Sequence, residues 1–246
     1  MVGRLLLRGM LVGLVAGILA FAFARIYGEP PVDQAIAFEE QTAQAAGEAP
    51  EPELVSRTTQ AGIGLATGIL VYGAALGGLF SLVFAFAYGR LGSLGPRGTS
   101  ALIALLGFLA IIIVPGLKYP ANPPSVGNPE TIGYRTELYF IMIVISLAAM
   151  ILAIGLARRL WNQIGGWNAS IAAALAFLIA FAIVKYAMPD INEVPEQFSA
   201  VVLWKFRVAS LGIQLILWTV IGLAFGAVVE RELAARGRQS LSGSYA

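Results

Sequence analysis

Six stretches of this chain run without charge for long enough, or nearly so, to cross a lipid bilayer: residues 9–24, 58–89, 98–117, 138–157, 160–184 and 208–229. A helix spanning a hydrocarbon core about 30 Å thick needs roughly 20 apolar residues at about 1.5 Å each. The first run is short, but the leucines at 5–7 extend it around Arg8, whose long side chain can reach back to the headgroups. The expected fold is all-α: a polytopic membrane domain over residues 1–232, with spans near 5–26, 60–88, 99–117, 138–157, 163–186 and 208–229, then a disordered tail at 233–246. Pro115 predicts a kink or an end in the third span. A composition 58% hydrophobic and 12% charged, with mean hydropathy +0.80, lies far outside the soluble range. The net charge of +2, with no basic stripe, argues against nucleic-acid binding.

Charges between the runs set an orientation. Arg4, Arg8, Arg90, Arg97, Arg158, Arg159, Arg231, Arg236 and Arg238 fall on one side. The positive-inside rule makes that side cytoplasmic and places both termini there. The other side carries twelve of the fourteen carboxylates against seven basic residues, a net of −5, in outer loops expected at 27–57, 118–136 and 187–206. That face attracts cations.

The start of the chain reads in two ways. Arg4, Arg8, an apolar run and the small residues at 22–24 fit a secretory signal cleaved after Ala24. Against this, Gly9, Gly13 and Gly17 recur at every fourth position and form a face that another helix can approach closely. The same spacing at Gly64 and Gly68, Gly73 and Gly77, and Gly222 and Gly226 predicts further tight helix packing.

The third and fifth runs close alike, with Lys118, Tyr119 and prolines, and with Lys185, Tyr186 and Pro189; the first closes with Arg25, Tyr27 and Pro30. After each comes a loop containing carboxylates, then a basic residue opening the next run: Arg57, Arg135 and Arg207. The pattern reads as three helical hairpins. Interface physics alone explains the cations and tyrosines, because both prefer the headgroup boundary. A functional reading has Arg25, Lys118, Tyr119, Arg135, Lys185, Tyr186 and Arg207 holding or gating the outer loops, folded over the bundle as a vestibule. The density of turn formers in PANPPSVGNPETIG favours a shaped loop.

The segments FARIYGEPPVDQAIAFEE, LKYPANPPSVGNPETIGYRTELY, MPDINEVPEQF and LWKFRVASLGIQLILW resemble the CbtA family, the predicted cobalt transporter subunit. The resemblance extends over nearly the whole chain. It implies a bacterial or archaeal inner-membrane protein associated with cobalt uptake, commonly with CbtB, a small single-span partner that carries histidine. Relatives often place histidines in the first outer loop, whereas this chain has none anywhere. Imidazole is a favoured cobalt ligand and carboxylates suit harder ions as well. Either a partner supplies nitrogen ligands or oxygen ligands serve a largely hydrated ion.

Candidate metal ligands in this chain are Glu29, Asp33, Glu39 and Glu40 in the first outer loop, and Asp190 and Glu193 in the third. If residues 32–41 form a short helix, Glu29, Asp33 and Glu40 can share a face. Most loop carboxylates are simply solvated. Without histidine there is no zinc-protease helix and no serine–histidine pair, and no GxxxxGK[ST] loop occurs, so neither an enzyme nor a bound cofactor is expected. The reading is a membrane subunit of a divalent-cation uptake system, with cobalt favoured by resemblance, collecting hydrated ions at an acidic outer vestibule. The rival is a structural or assembly subunit of a larger membrane complex: no acid lies in the middle of a span, where transported cations usually find one, and glycine faces serve partner helices equally well.

Overall fold

The computed structural model describes residues 2–47 and 54–242, the last seven as backbone only. Glu48, Glu51 and Glu53 of the first outer loop lie outside the described residues. Every regular element among the described residues is helical, and six helices are long and apolar enough to span a membrane. They are α1 (Val2–Ala46), α2 (Arg57–Ala87), α3 (Pro96–Lys118), α4 (Pro129–Ile164), α5 (Gly166–Ala187) and α6 (Ala200–Ser242).

The closest packing is between α1 and α2, and glycine makes it. A Cβ added at Gly13 would lie 2.0 Å from the carbonyl oxygen of Gly73, and one at Gly9 would lie 2.2 Å from that of Gly77. The reciprocal approaches, Gly77 to Gly9 and Gly73 to Gly13, are 2.1 and 2.5 Å. The two backbones are in contact, which no larger residue permits. Gly222 and Gly226 of α6 do the same for α3, facing Ala104 and Ser100, and the Ser100 hydroxyl donates to the Gly222 carbonyl at 2.6 Å. Gly64 and Gly68 differ: Gly64 meets only its own helix at Thr59, and Gly68 faces open space.

Helices α1, α2, α3 and α6 enclose the main core, in which Phe80 and Phe84 of α2 meet Phe225 of α6 edge-on at 5.7 and 5.2 Å. Helix α6 packs on both α1 and α3, while α5 packs on α4, which joins the bundle through α3. The chief partner of α3 is therefore α6 and that of α5 is α4, an order different from three hairpins in sequence.

Prolines that should end helices at two places do not, because each place follows a π-helical turn. In Ala24–Gly28 the Glu29 N–H bonds five residues back to Ala24, and the widened turn makes room for Pro30 and Pro31. Helix α1 thus continues to Ala46 through a region expected to be a loop, and Gly47 in the left-handed conformation (φ 75°) stops it. In Leu109–Ile113 the Val114 N–H bonds to Leu109, and the next amide in that register belongs to Pro115, which has no hydrogen. The buried Ala110 carbonyl so orphaned accepts instead from the Ser146 hydroxyl, which pins α4 to α3. At the other end α6 continues as helix to Ser242, where a disordered tail was expected from residue 233. Ion pairs from Arg8 to Glu232 and from Arg97 to Glu230 tie this end of α6 to α1 and α3.

The glycine contact is directly testable. Gly13→Ala should destabilise the protein by about 1–3 kcal/mol through overpacking, and Gly68→Ala by less than about 0.5 kcal/mol. Unfolding by dodecyl sulfate titration in mixed micelles measures both, and equal stability of the two variants would remove the close contact from the account.

Candidate functional site

The extension of α1 beyond its π turn and the segments after α3 and α5 gather at one end of the bundle. Antiparallel register explains how: Gly13 and Gly73 touch, Glu29 lies sixteen residues beyond the first and Arg57 sixteen before the second, so these two charges arrive at the same height. Arg57 forms ion pairs with both Glu29 and Asp33, the second at 2.9 Å. Glu29 is buried, 6% exposed, and Asp33 one helical turn later is exposed. Two carboxylates thus share one cation.

The loop between α3 and α4 is shaped, as its turn formers predict. Ser125 takes a left-handed conformation (φ 65°), and its hydroxyl lies 3.0 Å from the Ala35 carbonyl and 3.1 Å from Glu39, joining the loop to the α1 extension. Gly127 (φ 122°) lies against the Arg135 guanidinium, where a Cβ would come within 2.1 Å of Arg135 Nη1. Asn128 donates its backbone N–H to Glu193 at 2.7 Å, Thr131 donates its hydroxyl to the same carboxylate at 2.8 Å, and Arg135 approaches it at 3.4 Å. A small apolar cluster beneath comprises Ala35, Val126 and Phe198, with Phe38 edge-on to Phe198 at 5.1 Å.

Lys118 and Tyr119 contact the third segment. The Lys118 side chain is 3% exposed and its ammonium pairs with the exposed Asp190 at 2.5 Å, while the Tyr119 hydroxyl donates to the Pro189 carbonyl at 2.8 Å. Arg207 donates to Asn122 Oδ1 at 2.8 Å and to the Ala121 carbonyl at 3.2 Å. Arg25, in the π turn of α1, and Lys185 and Tyr186, at the end of α5, are exposed; the charge of Lys185 still reaches Asp190. Glu40 is exposed beyond both ion pairs of the α1 extension.

The candidate acids are therefore brought to one end but engaged separately. Glu29 and Asp33 come together, Glu39 joins the second segment, and Asp190 and Glu193 are tied to different elements. Among the described residues, no three acids converge on one point. Arg57 was missed as a site residue, although its position at the head of a span, opposite an acidic helix end, marks it.

These contacts set the charge states. The Lys118 hydrogen bond, then its charge, holds the Asp190 carboxyl below the usual carboxylate range. The Asn128 N–H, then the Thr131 hydroxyl, does so for Glu193. A depressed folded value means that the linkage stabilises the folded loops above the ordinary range near pH 4 and is lost as pH falls through the lower folded value. Hydrogen exchange, corrected for its intrinsic pH dependence, should be slow in residues 119–131 and 188–199 at about pH 6 and quicken below about pH 4. Glu193→Gln should exchange fast already at the higher pH; protection unchanged by pH or by this substitution would remove the carboxylates from loop retention.

A family model described as "Probable cobalt transporter subunit (CbtA)" matches residues 2–230. The chain belongs to the CbtA family. No curated protein and no solved structure matches it. Membership and six spans make this a multi-pass membrane protein and a transport subunit, which implies a complex. The acidic end of this CbtA chain is built from the extension of α1 and two folded loops.

Proposed function

We propose that this CbtA chain collects divalent cations, cobalt foremost, at the acidic end, which faces outward from a prokaryotic inner membrane, with both termini in the cytoplasm. The observation that carries the reading is the triad of Glu29, Asp33 and Arg57: two carboxylates one turn apart on one helix, bridged by a single arginine from the next. A divalent ion carries twice the charge of Arg57 and competes with it for both acids. Exchange would free α2 from the α1 extension and loosen the adjoining loops. The triad then acts as a latch that cation arrival opens. Oxygen ligands on a hydrated ion give weak, salt-sensitive binding, because attraction at the surface is screened over about 8 Å at physiological ionic strength.

Selectivity for cobalt needs softer ligands than these. With no histidine or cysteine here, a small single-span subunit of the CbtB type, bearing histidine, would supply them. No bond-making step is assigned to this chain, so it works as a carrier subunit and not as an enzyme, with the metal as cargo and no resident cofactor. A structural or assembly role is the second reading. What favours it is that the described acids with contacts are already engaged by the protein's own donors.

Uptake of radioactive cobalt by cells expressing the chain with its genomic neighbours separates the two. Replacing Glu29, Asp33 and Glu40 by Gln, Asn and Gln should raise the cobalt concentration for half-maximal uptake roughly tenfold, with little change in maximal rate. Unchanged uptake would favour the assembly role. Cysteine labelling of this cysteine-free chain at Gln44, Asn128 and Gln197 should report the outside, and at Gly95 and Gly165 the cytoplasm. The reverse pattern would overturn the orientation.

A further inference from the structure

The opposite end of the bundle holds a cavity of about 200 Å³ between α1, α2 and α6. Its walls are apolar, with Leu5, Phe84, Val229 and Leu233 among them, and Arg4, Arg8, Tyr88 and Glu232 supply the polar part. Arg8 and Glu232 form an ion pair, 30% and 16% exposed. Glu230, the other acid at this end, pairs with Arg97 at 2.7 Å. Arg4, one turn before Arg8 on the same face and exposed, leaves the cavity with one positive charge in excess.

Position and chemistry agree on an occupant. The charge-free run of α1 begins at residue 9 and that of α6 ends at residue 229, so the cavity straddles the boundary between headgroups and hydrocarbon. Free phosphate has no use for the apolar walls, and a zwitterionic lipid has no net charge to meet Arg4. We propose that this cavity binds one anionic phospholipid of the adjoining leaflet, its phosphate on Arg4 within reach of the Tyr88 hydroxyl and an upper acyl segment on Leu5, Phe84 and Leu233. The bound lipid would bridge α1, α2 and α6, three of the four helices that enclose the main core, at the end remote from the acidic one. The inference does not depend on what the acidic end transports.

The test is native mass spectrometry of the purified full chain in neutral detergent, with phosphatidylglycerol, phosphatidylcholine and inorganic phosphate as separate probes. One phosphatidylglycerol should be retained where phosphatidylcholine is lost. Arg4→Gln should weaken phosphatidylglycerol binding about fivefold, Arg4→Lys should restore most of it, and Arg158→Gln, at the same end but outside the cavity, should change nothing. Leu233→Glu, which puts a negative charge in the wall, should abolish retention and guards against a silent Arg4 variant. Equal retention of both lipids, or wild-type binding in both Arg4→Gln and Leu233→Glu, would overturn the site. Phosphate that displaces phosphatidylglycerol and binds as tightly would reassign it to a free anion.

Discussion

The backbone contact between α1 and α2 is the constraint on which the rest depends. Water cannot mediate helix packing in hydrocarbon, and lipid competes equally for apolar side chains, so helices associate through close fit. Gly9 and Gly13 against Gly73 and Gly77 give the closest fit a helix pair can have, and with no side chain between them the register cannot slide without collision. Sixteen residues on along each helix, roughly 24 Å away, that register delivers Glu29 to Arg57. The ion triad is a consequence of glycines a membrane's thickness away. At the other end the same pairing, with α6 added, brings Arg8 to Glu232.

A second constraint is that no backbone polar group can be left unpaired in a bilayer. Proline breaks this rule by lacking its N–H, and the chain answers with π turns before Pro30 and Pro115. At Pro115 the carbonyl left over on Ala110 becomes the acceptor for Ser146, so a defect in α3 supplies a specific link to α4. That link matters because α4 and α5 share little of the main core.

Much of this was legible in the sequence. Charge-free runs predict all six spans, four-residue glycine spacing predicts the tight face of α1, and Lys118, Tyr119, Arg135 and Arg207, singled out at the span ends, each contact a loop. What stayed hidden has physical causes. Residues 27–46 read as a loop because two prolines normally end a helix, and nothing in the composition announces a π turn. The pairing of α3 with α6 depends on which faces meet across long sequence separation, which periodicity cannot rank. Gly64 and Gly68 carry the same spacing as the true contact faces but meet no other helix, so spacing identifies a permitted face and not an occupied one. The separate engagement of each acid also depends on loop geometry, above all on Ser125 and Gly127.

The proposed cation collection is an exchange: an arriving divalent ion would take the place of Arg57 between Glu29 and Asp33, and the folded cap would relax. The absence of cysteine allows spin labels to be placed at Gln44→Cys on the α1 extension and Gln197→Cys on the third segment without other changes. Distances between them by pulsed electron resonance, with and without cobalt at low ionic strength, address the claim most directly. Displacement of Arg57 should give a longer and broader distribution with cobalt, abolished by Glu29→Gln with Asp33→Asn. Superimposable distributions with and without cobalt would contradict it.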